Sequence, residues 1–133
     1  MAFYRTREGA VTAADSFTAI TGLYGQSTTA SIQVPAGSTA IVGMIASVAT
    51  DSAANGVTTF ACQVSGDGLQ SGQETIVFAG TGVDGTPVSN GQVVNAFSQD
   101  VSIPCIASNQ VSVAVAMSGD TGSCEAAITL VFQ

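Results

Sequence analysis

Gln110-Val111-Ser112-Val113-Ala114-Val115-Ala116-Met117 decides the fold class. Val111, Val113, Val115 and Met117 fall on one parity, and Ser112, Ala114 and Ala116 on the other. A period of two places alternate side chains on opposite faces of a strand, so this is a strand with one face toward a core. Cys124 to Phe132 repeats the pattern, with Ala126, Ile128, Leu130 and Phe132 on the inward parity. Thr28 to Val34 also alternates well: Ala30, Ile32 and Val34 oppose Ser31 and Gln33.

Working outward, five more strand-like segments emerge. They are Ser16 to Thr21, Thr39 to Ala49, Val57 to Val64, Glu74 to Ala79 and Gln92 to Ile103. Thr39 to Ala49 is apolar on both parities, which suits a central strand. Val57 to Val64 sets Phe60, Cys62 and Val64 on one side. Gln92 to Ile103 is expected to bend at Ser98-Gln99 and to close at Pro104, which has no N–H for a ladder. Between the segments stand turn formers: Pro35-Ala36-Gly37, Asn55-Gly56, Gly66-Asp67-Gly68, Ser71-Gly72 and Ser118 to Gly122. Gly80 to Gly91, with four glycines and Pro87, reads as a long exposed loop. Helical periodicity is absent. About eight short strands predict an all-β protein: a single antiparallel β-sandwich, jelly-roll or related Greek-key. The expected organisation is an N-terminal arm over residues 1–10 and one sandwich domain over residues 11–133.

Composition then narrows function. Of 133 residues only 8% are charged, against roughly 25% in ordinary soluble domains. The mean hydropathy is +0.44 although the hydrophobic fraction is an ordinary 46%, so the score reflects missing charge. Dispersed charge keeps a free monomer soluble. Its scarcity suggests that neighbouring subunits cover much of the surface, and the alternative is a neutral Ser/Thr/Gly surface.

The formal net charge is −7, with Arg5 and Arg7 the only cations. Binding nucleic-acid phosphates needs clustered cations, so no direct nucleic-acid binding is expected. No apolar stretch approaches the ~20 residues of a membrane span, so no membrane insertion is expected. No apolar segment follows the N-terminal residues as a signal peptide would require, so cytoplasmic production and release is expected.

The chain contains neither histidine nor lysine. That removes the commonest general bases and the Schiff-base route. Most of the nine acids sit in turn-like strings, Glu74 and Glu125 lying on or at strands, which leaves little for a carboxylate pair. The expectation is no enzyme, no cofactor and no metal. Calcium on Asp67, Asp84 or Asp120 is the one metal reading to weigh, and all three sit in Gly-flanked strings that read first as turns. Cys62, Cys105 and Cys124 make an odd count without a CxxC pair, and read as small buried hydrophobes, with one disulfide left open.

Interface candidates are the N-terminal residues Phe3, Tyr4, Arg5 and Arg7, and Val83, Asp84 and Pro87 in the long loop. An arm carrying both cations beside two aromatics can dock on an otherwise anionic particle, with Phe3 and Tyr4 filling a pocket. Removal of residues 1 to 8 is expected to leave the domain folded and to weaken assembly.

Ile32-Gln33-Val34-Pro35-Ala36-Gly37, then Ile41-Val42-Gly43, and the closing Ala127-Ile128-Thr129-Leu130-Val131-Phe132 resemble small β-sandwich proteins of virus particles. These are capsid jelly rolls and the cement (decoration) proteins of phage heads. The resemblance implies a structural virion protein, assembled in the host cytoplasm, that works as a homo-oligomer with other capsid or shell proteins. It carries over no individual residue. The lack of a basic arm departs from capsid proteins that touch a packaged genome and favours an outer or cement role. Two other classes fit the composition: a carbohydrate-binding or adhesin module, and a filament subunit that exchanges strands at sheet edges.

Overall fold

In the computed structural model, which describes residues 1–12, 16–22, 31–50, 59–79, 93–118 and 123–133, the chain builds nine strands. They are β1 (Phe3–Thr12), β2 (Thr18–Ala19), β3 (Ser31–Gln33), β4 (Ala40–Thr50), β5 (Thr59–Ser65), β6 (Gln73–Ala79), β7 (Val93–Pro104), β8 (Gln110–Ser118) and β9 (Ser123–Phe132). One sheet has the order β1-β9-β4-β7. The other has the order β2-β8-β5-β6, with β3 also pairing β8. β2 meets Val115 and Ala114, whereas β3 meets Ser112 to Gln110. The two short strands therefore share one edge of β8 and together fill one strand position, leaving two four-position sheets. Every pairing is antiparallel, and the first strand pairs with the last. Among the described strands β5 and β6 are the only sequence neighbours that pair with each other, joined by a hairpin. This is jelly-roll order, two Greek keys closed on each other.

The core lies between the inner faces. Val111, Val113 and Val115 of β8 face Ile128, Leu130 and Phe132 of β9, and all six are fully buried. Phe60, Cys62 and Val64 of β5, and Met44 and Ala46 of β4, complete the layer. Each large apolar side chain so buried contributes about 1.5–3 kcal/mol. Phe60, Phe78 and Phe97 form a ring cluster with centroids 5.6 to 6.2 Å apart, where β6 and β7 edge the two sheets.

The Pro35 turn is as expected. Ser38 N–H donates to the Pro35 carbonyl at 3.0 Å, and Gly37 takes the left-handed conformation at φ 83° that this turn requires. β7 ends at Pro104, and β4 is central. β4 is covered on one face only, because Ile45 on the other is 40% exposed. The expected bend at Ser98-Gln99 is absent, since both pair in regular register with Met44 and Ile45. The irregularity falls between Ile41 and Gly43, where both neighbours of β4 slip register.

The N-terminal arm is the main correction. Residues 3–12 are β1, paired with β9 at every position from Phe3↔Phe132 to Thr12↔Ser123. The boundary between residues 10 and 11 dissolves. Truncation of residues 1–8 would strip β9 of six partners and unpack Phe3 from the core, so the domain cannot be expected to survive it unchanged. The strand escaped notice because its inward parity reads Phe3, Arg5, Arg7: charged side chains where a core strand would be apolar. At a sheet edge such side chains can leave between the layers. Asn55-Gly56, the Gly80 to Gly91 loop and residues 119–122 lie outside the described residues.

Candidate functional site

Both cations sit on the free edge of β1. Glu8 N–H and C=O bond Gly22, each at 2.8 Å, on the side away from β9. Backbone groups alternate in direction along an antiparallel strand, so those of Tyr4 and Thr6 also point away from β9. The guanidinium groups cap them: Arg5 Nη1 donates to the Tyr4 carbonyl at 3.0 Å, and Arg7 Nη1 to the Thr6 carbonyl at 2.9 Å. Charged caps of this kind blunt an edge that would otherwise invite further strands.

Arg7 also spans the layers. Its Nη2 donates to the Ser31 carbonyl on β3 at 2.7 Å. Burial first, and then the neighbouring charge of Arg5, pulls its guanidinium below the ordinary value. Arg5 is exposed and lies over the Phe3 ring, 5.8 Å from its centroid. A cation over an aromatic face is attracted by the ring quadrupole, so Phe3 holds Arg5 in place.

Between β1 and β3 these side chains bound a cleft of about 440 Å³. Buried Ile32, Val34 and Pro35 supply apolar lining, and Gln33, Ala36 and Ser108 complete the opposite wall. Ser108 is held at φ 70°, a left-handed conformation uncommon for serine. Its N–H donates to the Val34 carbonyl at 3.0 Å, and Gln33 Nε2 donates to its carbonyl at 3.4 Å, so the wall is tied to β3.

The structure thus divides the N-terminal candidates. Phe3, Arg5 and Arg7 converge on the cleft. Tyr4 lies on the opposite face, 60% exposed, beside a shallow depression of about 270 Å³ over Gly43, Ile45, Asp100 and Val131. Phe3 and Tyr4 cannot fill one pocket together. Val83, Asp84 and Pro87 lie outside the described residues. The cleft's other wall is not legible in the sequence, because Ile32 to Ala36 and Ser108 meet β1 only through the packing of one sheet on the other.

The remaining candidates have structural work. Asp67 Oδ1 accepts the Gln110 backbone N–H at 3.1 Å, and its carbonyl accepts Asn109 Nδ2 at 3.0 Å. It lies in the turn of the β5–β6 hairpin and ties that turn to the start of β8. Asp84 and Asp120 lie outside the described residues. Among the described residues no three His, Cys, Asp or Glu side chains gather as a metal would require, and no helix is long and apolar enough to cross a membrane. Cys62 and Cys105 are buried free thiols. Burial pushes the Cys62 thiol up to about 12 and raises that of Cys105, the opposite of what a reactive thiolate needs. The side chain of Cys124 is outside the described residues.

No family model matches the chain, and no curated protein matches its sequence. Solved structures do match. The PRD1 vertex protein P5 superposes with a TM-score of 0.53 at 10% identity, over 96% of this chain and 94% of that one. The globular domain of zebrafish complement 1qA gives 0.48 at 8% identity, over 96% and 94%. Infectious bursal disease virus, Gx strain, gives 0.46 at 14% identity, over 98% of this chain and 32% of that one. The PRD1 vertex protein P5 is therefore among the structures whose fold this chain resembles. At such identities the likeness establishes the fold, and a shared fold does not carry a function with it.

Proposed function

We propose that the chain is a non-enzymatic structural subunit of a virion, a capsid or capsid-decorating protein that works as a multimer against copies of itself and other shell proteins. The carrying observation is the outer face of the β2/β3-β8-β5-β6 sheet. Gln63, Ser65, Gln73, Thr75, Val77, Ser112 and Ala114 lie there on the parity opposite the buried residues, and none is charged. A sheet face without ions can be covered by a neighbour with no charge to desolvate. Obligate contacts bury on the order of 2,000 Å² or more in total, and a flat neutral face suits them.

The likeness in fold to a vertex protein supports the same reading. So does the charge balance of −7, which favours contact with proteins over contact with a genome. Light scattering on the purified full chain, with electron microscopy of the concentrated sample, tests the proposal. A defined multimer or closed particle is expected. A monodisperse monomer up to millimolar concentration, and in the presence of shell proteins, would overturn it.

A further inference from the structure

We infer that the cleft between β1 and β3 receives a carboxylate-bearing segment of a second copy of this chain, with Arg5 as the counter-charge. The inference rests on the self-assembling reading above and names its contact surface. It begins with the chain's own charges: nine acids and two arginines. Two such copies carry the same net charge and repel, so a contact that sets opposite charges together is favoured over one that does not. Arg5 and Arg7 are the only side chains that can reverse the sign of a contact, and both line one cleft.

The two arginines differ in what they can offer. Arg7 is committed to the carbonyls of Thr6 and Ser31. Arg5 is exposed, is held over the Phe3 ring, and donates from Nη1 to the neighbouring Tyr4 carbonyl. A guanidinium carries five N–H donors in a planar fork, which matches a carboxylate bidentately. Beneath it, Ile32, Val34 and Pro35 provide an apolar floor for the stem of the incoming side chain. A volume of about 440 Å³ holds one or two side chains and no folded element. No acid lines the cleft, so the carboxylate comes from another surface of the second copy.

Sedimentation of the full chain tests this. Arg5→Glu should weaken self-association at least tenfold while circular dichroism and the melting curve stay those of the native chain. Ala36→Trp keeps both charges and fills the mouth of the cleft, and it should weaken association to a similar extent. If either folded variant associates as tightly as the native chain, the cleft is not the contact, although the subunit reading stands. If the native chain itself never associates, the subunit reading fails and takes the cleft with it.

Discussion

A β-sandwich has two open sides, and this one closes them by different chemistry. Where β6 and β7 form the edges, Phe78 and Phe97 meet at 5.6 Å, with Phe60 behind them at 6.2 Å from each. Where β1 and β3 form the edges, the layers are bridged by the Arg7 guanidinium on the Ser31 carbonyl. The aromatic side fills its gap with matched hydrophobic surface. The cationic side leaves a cleft in which Arg5, Arg7 and Gln33 stand beside an apolar lining of Phe3, Ile32, Val34 and Pro35. The first arrangement stabilises the fold, and the second gives up some packing to keep an addressable surface. The proposed contact on the β1 side rests on that difference.

The largest expected effect is on the aromatic side. Phe78→Ala removes a buried ring that two others touch and should cost about 3–5 kcal/mol of unfolding free energy in a denaturant titration. A loss below about 1 kcal/mol would mean that the side closes without the rings, and the contrast between the two sides would fail.

Cys62 gauges how well water is kept out. It lies on β5 two residues from Phe60, and burial raises its thiol to about 12. A thiol is neutral when protonated, so a raised folded pKa leaves stability intact below the unfolded value of about 9. Above it the unfolded state loses its proton first. Stability should then fall by about 1.4 kcal/mol per pH unit between about 9 and 12. Denaturant midpoints across that range should fall more steeply in the native chain than in Cys62→Val, which keeps only the contribution of the likewise raised Cys105. An equal slope in both would place water behind the rings.

The two sides were also unequally legible in the sequence. Phe60, Cys62, Val64 and the valines of β8 declare themselves by clean alternation, because their whole inner face is buried. β1 alternates too, but edge geometry lets Arg5 and Arg7 occupy inward positions, and a pattern rule that expects apolar residues there misreads the strand as a tail. The cleft was less visible still. Its walls come from residues 3–7, 32–36 and 108, joined by the pairing of the first strand with the last and by the packing of two sheets. No local window contains that information. Ser108 carries no glycine or asparagine to announce its left-handed backbone, which is imposed by its bond to Val34.

The smallest effect is expected on the cationic side, and it separates bridging from recognition. Arg7→Gln deletes the charged bond to Ser31 and the cap on Thr6. Hydrogen bonds from charged donors contribute about 1.5–3 kcal/mol when sheltered, but Arg7 is only half-buried and water replaces part of what is lost. About 1 kcal/mol is therefore the expected cost, read from the same denaturant titration. Glutamine is shorter and neutral, so β3 should loosen from β1, and amide exchange at Ser31 and Ile32 should quicken while that at Phe78 is unchanged. A cost equal to that of Phe78→Ala would make the arginine bridge a main support of the fold and erase the distinction between the two sides. A cost near zero with unchanged exchange would show that β3 is held by β8 alone, leaving the cleft's width free of Arg7.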